Sequence, residues 1–139
     1  MKTAIIRQVD GMTFTGKADS NHWVVMDGSL KEGGNAAATS PKELVLVGLG
    51  GCTGMDVASI LKKKRARLNG FELHISAEEA EDFPRIFTKI HIEYILRGQN
   101  LKPQDVEHAI ELSQTKYCSV TAMLRASATV TYSYRIQDQ

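Results

Sequence analysis

Two cysteines are the residues best placed by type and surroundings to do chemistry. Cys52 lies in VGLGGCTGMDV, with Gly48, Gly50 and Gly51 before it and Gly54 after it. A cysteine in an apolar stretch can simply be a small core hydrophobe. Glycines on both sides weigh against that, because they remove the side chains that would shield a thiol. Cys118 follows Tyr117 in KYCSVTAML, at an apparent junction of two helical segments. If it opens a helix, the free N–H groups there would lower its thiol pKa. A buried structural thiol is an equal reading for Cys118.

Other chemistries find less support. His22, His74, His91 and His108 show no spacing typical of a zinc site, and the two cysteines are far apart in the chain, so no metal is expected. No G-x-S-x-G elbow and no phosphate-binding glycine motif is present. A two-cysteine redox site is what remains. Asp56, one turn after Cys52, would oppose a thiolate if both faced the same dry pocket.

The element that must carry Cys52 is Ser40–Arg65, SPKELVLVGLGGCTGMDVASILKKKR. Ser40 fits an N-cap, Pro41 the first helical position, and Glu43 completes a capping box. Lys62, Lys63, Lys64 and Arg65 complement the dipole at the far end. The helix interior holds four glycines, each costing about 1 kcal/mol against alanine, so something is expected to approach this backbone closely. Gly48, Gly51, Cys52, Met55 and Ser59 fall on about one face, and such a small-residue face suits a twofold partner.

The remaining chain reads as strands and one further helical region. Thr3–Val9, Met12–Gly16 and Asn21–Asp27 are strand segments, the first two joined by the turn signal Asp10-Gly11. Gly28–Thr39, rich in glycine and alanine, reads as a flexible loop with little to anchor it. Asn69-Gly70 is a second turn signal, followed by alternating strands Phe71–Ala77 and Ile86–Leu96. Pro103–Lys116 has helical spacing, Tyr117–Leu124 a turn or short helix, and Ala126–Ile136 strand character. The order gives an α+β fold.

At 139 residues and 42% hydrophobic, a single domain over 1–139 with its own core is expected. A net charge of +1 argues against nucleic acid or an anionic membrane as partner. The opening MKTAIIRQVDG lacks the long apolar region of a signal peptide, and the longest apolar run is shorter than the roughly 18 residues of a membrane span. A cytoplasmic protein is expected, whose thiols cycle or stay reduced.

Taken together, SPKELVLVGLGGCTGMDVASILKKKR, the distant KYCSVTAML and the closing ATVTYSYRI resemble the OsmC/Ohr family of osmotically inducible and organic hydroperoxide resistance proteins. The match runs from about Ser40 onward and is nearest the OsmC-like branch with the GGCTGMDV pattern. The resemblance implies antiparallel sheets packed around a long buried central helix, in an intertwined homodimer with two sites at the subunit interface. It implies a thiol-dependent peroxidase that reduces organic hydroperoxides, with Cys52 as peroxidatic and Cys118 as resolving cysteine. No bound cofactor is implied, only an external dithiol or lipoyl-type reductant. The alternative within the same fold is a redox-sensing or small-molecule-binding protein without efficient turnover.

Two positions depart from the resistance branch. That branch has a glutamate directly after the helix-start proline, where this chain has Lys42, and Glu43 is the nearest carboxylate. Glu43 precedes Cys52 by nine residues, about 13.5 Å along a straight helix and on the opposite side. Its role at the site would have to come across a dimer interface; otherwise it only caps. For the branch's activating arginine the early chain offers Arg7 and Lys17, and Lys17 is taken for that role.

Overall fold

The computed structural model describes residues 1–137, and the chain falls into two compact units, Met1–Val47 and Gly48–Gln139. In the first unit β1 (Ala4–Asp10), β2 (Thr13–Ala18) and β3 (Val24–Met26) form an antiparallel sheet in chain order. Gly11 turns β1 into β2 at a φ of 55°, a value glycine adopts without the Cβ penalty. β3 is shorter than the expected Asn21–Asp27: Asn21 takes a left-handed φ of 63°, outside the extended region, and the ladder to β2 starts only at Val24. β1 is exposed along its whole length, Ile5, Ile6 and Val9 included.

The stretch after β3 is anchored, contrary to the flexible loop expected. Asp27 is buried, and its carboxylate accepts from the backbone N–H of Gly28 at 2.8 Å, Asn35 at 3.2 Å and Ala37 at 3.1 Å. A 3-10 turn at Leu30–Glu32 folds the loop, and Gly28 and Gly34 pack so closely that a Cβ on Gly34 would lie 2.1 Å from the Gly28 oxygen. The Ala37 N–H, ahead of the opposing effect of burial, holds the Asp27 carboxyl below its ordinary 3.8, with Gly28, Asn35 and Thr13 adding to it. A depressed folded value means the stabilisation is complete above the unfolded value and is lost as pH falls through the folded one. Asp27→Asn should therefore melt below wild type at neutral pH, and the gap should shrink below about pH 4. Melting curves across that range decide it; a gap that stays constant into strong acid would contradict the anchor.

The helix α1 (Pro41–Lys63) starts as its sequence requires. The Glu43 N–H donates to Ser40 Oγ at 3.2 Å, and the Ser40 N–H to Glu43 Oε1 at 3.0 Å. Within this one chain Leu49, Thr53, Val57 and Leu61 are the buried residues of the helix, one stripe at a spacing of four. Its glycines divide by what surrounds them. A Cβ on Gly50 would meet Ile75 Cδ1 at 3.0 Å and one on Gly54 would meet Leu73 Cδ1 at 3.2 Å, whereas Gly48 and Gly51 have nothing within 4 Å. Two glycines therefore let α1 lie close on a strand, and two border open space. By length and apolarity α1 meets the requirement for crossing a bilayer, which its shorter charge-free run does not suggest. Its buried stripe nevertheless docks on a sheet and bonds to it through Thr53, as a core helix does.

In the second unit β4 (Arg67–Glu79) and β5 (Phe87–Gln99) are antiparallel. After α2 (Pro103–Leu112), a π-helical turn (Ser113–Tyr117) and α3 (Ser119–Leu124), β6 (Thr129–Gln137) returns beside β5 and parallel to it. The sheet order is β4-β5-β6. The α+β class stands, but this sheet is mixed rather than antiparallel, because a helical crossover brings the chain back to the same end of the sheet. Asn69-Gly70 is not a turn; it lies inside β4, where the ladder shifts register between Leu68 and Gly70 as a bulge. The alternation along β5 sends Ile90, Ile92, Tyr94 and Leu96 inward, and α2 contributes Val106, Ala109 and Ile110 to the buried set.

Candidate functional site

The helical spacing of Pro103–Lys116 is interrupted at Ser113, where α2 widens into the π turn. Such single-turn irregularities recur at functional sites because they aim side chains that a regular helix would not. Here the turn delivers Ser113 and Gln114 into the interior, where both are buried. The chain then straightens at Cys118, which becomes the N-cap of α3, its sulfur accepting from the Thr121 N–H at 3.4 Å. Cys118 is 3% exposed and Cys52, on α1, is half-buried. Both thiols are free, and they adjoin closely enough to hydrogen-bond.

Burial pushes the Cys118 thiol pKa up, and the neighbouring Cys52 adds to the rise, while the Thr121 hydroxyl and N–H pull it down. The sequence expectation that a helix start lowers this pKa is thus met in direction by Thr121 and overridden by burial. Cys118 rests as a thiol.

Next to the thiols runs a chain of buried polar groups. The Ser113 hydroxyl donates to Asp56 Oδ2 at 2.9 Å. Ser113 has a single hydrogen, so in its 2.7 Å bond with Thr53 Oγ1 the threonine must donate. Thr53 then has none left for its 2.7 Å bond to the Tyr94 hydroxyl, which therefore donates to it. The Tyr94 oxygen in turn accepts from Gln114 Nε2 at 2.8 Å. One carboxylate thus orients every hydroxyl from Ser113 back to Tyr94. Gln114 Nε2 also reaches Thr53 Oγ1 at 3.3 Å and Thr121 Oγ1 at 3.5 Å. Among the described residues no buried side-chain nitrogen or oxygen lacks a partner, and burial raises the Tyr94 hydroxyl pKa, keeping it a donor.

Of the residues singled out from sequence, the fold brings Cys52 and Cys118 together. Asp56 is tied to Ser113 rather than left to face Cys52 unpaired. Glu43 is engaged in the α1 cap, where the Ser40 N–H holds its carboxyl below the ordinary value. Lys17 lies 4.9 Å from the Trp23 ring centroid and donates to Asn21 at 2.7 Å. Sequence reasoning missed Thr53, Tyr94, Ser113, Gln114, Thr121 and Arg125. A hydroxyl on the buried stripe of an apolar helix and a tyrosine among the inward isoleucines of β5 were the signals available. Among the described residues no three His, Cys, Asp or Glu side chains cluster as a metal site would require.

Comparison with known proteins places this architecture. The profile of the family described as OsmC-like protein matches residues 33–133. Protein YhfA of Escherichia coli strain K12 is 40% identical over 133 residues, 96% of either chain. The crystal structure of a hypothetical protein from Aquifex aeolicus VF5 is 29% identical with a TM-score of 0.88, covering 100% of this chain and 98% of that one. An organic hydroperoxide resistance protein from Elizabethkingia anophelis is 14% identical, with a TM-score of 0.69 over 97% of this chain and 96% of its own. That last likeness is one of fold alone.

Proposed function

Since the chain belongs to the OsmC-like protein family, we propose that it is a thiol-dependent peroxidase that reduces organic hydroperoxides by a two-cysteine cycle. The observation that carries this reading is the meeting of a half-buried Cys52 with a buried Cys118 from a distant part of the chain. The more accessible Cys52 sulfur attacks the peroxide oxygen; the O–O bond breaks, and Cys52 sulfenic acid and an alcohol result. The Cys118 sulfur then attacks the sulfenic sulfur, the Cys118 proton leaves with the hydroxyl as water, and the disulfide closes. An external dithiol, of the lipoyl type, reduces that disulfide to two thiols and is itself oxidised to a disulfide. Because Cys118 rests as a thiol, it is unreactive until the sulfenic sulfur is beside it. Consumption of a bulky organic hydroperoxide with dihydrolipoamide tests the reading. Oxidation of the thiols without turnover would replace it with a redox-sensing role, and no oxidation would remove both.

The proposal includes a homodimer whose second copy packs on the open side of α1. Met55 is 75% and Val47 64% exposed there, and Gly48 and Gly51 border empty space. Roles for Glu43 and Lys17 belong with this assembly, where they would act at the partner's thiols. Gly51→Leu separates chain from dimer: Gly51 is exposed in its own chain, a Cβ there has nothing within 4 Å, and the change gains about 1 kcal/mol of helix propensity. It should leave the fold intact and yield a monomer by light scattering at concentrations where wild type is dimeric. A Gly51→Leu protein as dimeric as wild type would place the interface elsewhere.

A further inference from the structure

We propose that Arg125 is a positioning residue for the thiol pair, acting through Gln114 and Thr121 on the Cys118 sulfur. Arg125 follows α3 and grips Gln114 twice, donating Nη1 to the backbone oxygen at 2.6 Å and Nη2 to Oε1 at 3.2 Å. With Oε1 held by a guanidinium, the amide has one orientation. A flipped amide would set its NH2 against the cation and leave the Tyr94 oxygen without its donor. Nε2 therefore faces Tyr94, Thr53 and Thr121. At Thr121 that amide takes the acceptor side of the hydroxyl, which frees the Thr121 hydrogen for the Cys118 sulfur, beside the Thr121 N–H at 3.4 Å. The fork also polarises the amide, strengthening each donor further along the chain.

This deepens the peroxidase reading and rests on it for its role in the cycle. When Cys52–SOH and Cys118–SH become the disulfide and water, negative charge builds on a buried Cys118 sulfur as its proton departs. The Thr121 donors, aligned from Arg125, are what meets that charge. The titratable and charged groups around Cys118 are Cys52 on α1 and Tyr94 on β5, with Tyr132 of β6 beyond Tyr94. Asp56 stands at one end of the network and Arg125 at the other.

The test isolates Cys118 in a Cys52→Ser background and follows its alkylation by iodoacetamide against pH. Adding Arg125→Gln should move the midpoint of the profile upward, slowing alkylation about tenfold at a fixed pH below it if the shift is one unit. Arg125→Lys should fall between, since it keeps the charge and loses the fork. Thr121→Val combined with Arg125→Gln should add little to either alone, as two changes on one path do. A structural loosening would instead speed alkylation by exposure without moving the midpoint upward. An unchanged midpoint in both Arg125 variants overturns the inference even if wild type turns over hydroperoxide. An upward shift with no turnover in wild type upholds the Arg125 relay and removes the peroxidase reading instead. Should Arg125→Gln unfold, Arg125→Lys decides alone by the presence or absence of its smaller shift.

Discussion

Cys52→Ser is expected to lower hydroperoxide turnover by about a thousandfold or more, the scale on which losing a nucleophile removes a covalent mechanism. A serine hydroxyl is not oxidised by peroxide to any counterpart of a sulfenic acid, so the first bond change has no substitute. Cys118→Ser should behave differently. It leaves the Cys52 step intact, so one equivalent of alcohol per chain should appear as a burst, with the sulfenic acid trapped by dimedone and no disulfide formed. Sustained turnover with dihydrolipoamide should then fall sharply, because the disulfide that the dithiol attacks never forms. The assignment fails if Cys52→Ser keeps wild-type turnover, and the roles reverse if the burst disappears with Cys118→Ser and survives Cys52→Ser. The burial contrast between the two cysteines sets this direction, since substrate reaches a half-buried residue before one that is 3% exposed.

The second large effect is on stability, from Thr53→Val. The two side chains have nearly the same shape, so the change removes hydrogen bonds without opening a cavity. Tyr94 then has no acceptor for its hydrogen in the interior, while Ser113, which keeps its bond to Asp56, loses only the hydrogen it accepted. An orphaned buried group costs about 1–3 kcal/mol, which puts the substitution at about 2 kcal/mol. Thr53→Ser, which keeps the hydroxyl, should cost about 1 kcal/mol or less. Adding Tyr94→Phe to Thr53→Val should be less than additive, because it removes the orphaned hydroxyl. Urea unfolding of the four proteins measures all of this. Valine and serine at position 53 giving equal midpoints would mean that the hydroxyl chain does not carry load.

Much of the secondary structure was legible from local pattern. Ser40, Pro41 and Glu43 fix the start of α1 by bonds within four residues, and the alternation from Ile86 to Leu96 gives β5 and its inward face. The misreadings have equally local causes. Asn69-Gly70 has the composition of a turn, yet the pairing of β4 with β5 absorbs it as a bulge. The loop after β3 offers no apolar anchor, and what holds it is a carboxylate, Asp27, bonded to backbone up to ten residues away.

The paired thiols were the readable part of the site, because cysteine is rare and its chemistry is its own. What surrounds them was not readable. Thr, Tyr, Ser, Gln and Arg are common residues whose meaning depends on which atoms they meet, and those atoms belong to α1, β5, the π turn and α3. By itself, then, the sequence determined the capped helix that bears Cys52, the α+β order of elements and the presence of two candidate redox residues. Only the tertiary structure decided that the second sheet is mixed, that α1 buries a single stripe, and that Cys118 comes to lie against Cys52. The physical reason is range. Caps, turns and alternation are set by neighbours a few residues apart, whereas the thiol pair and its hydroxyl chain exist only after a crossover and a widened helical turn bring distant segments together.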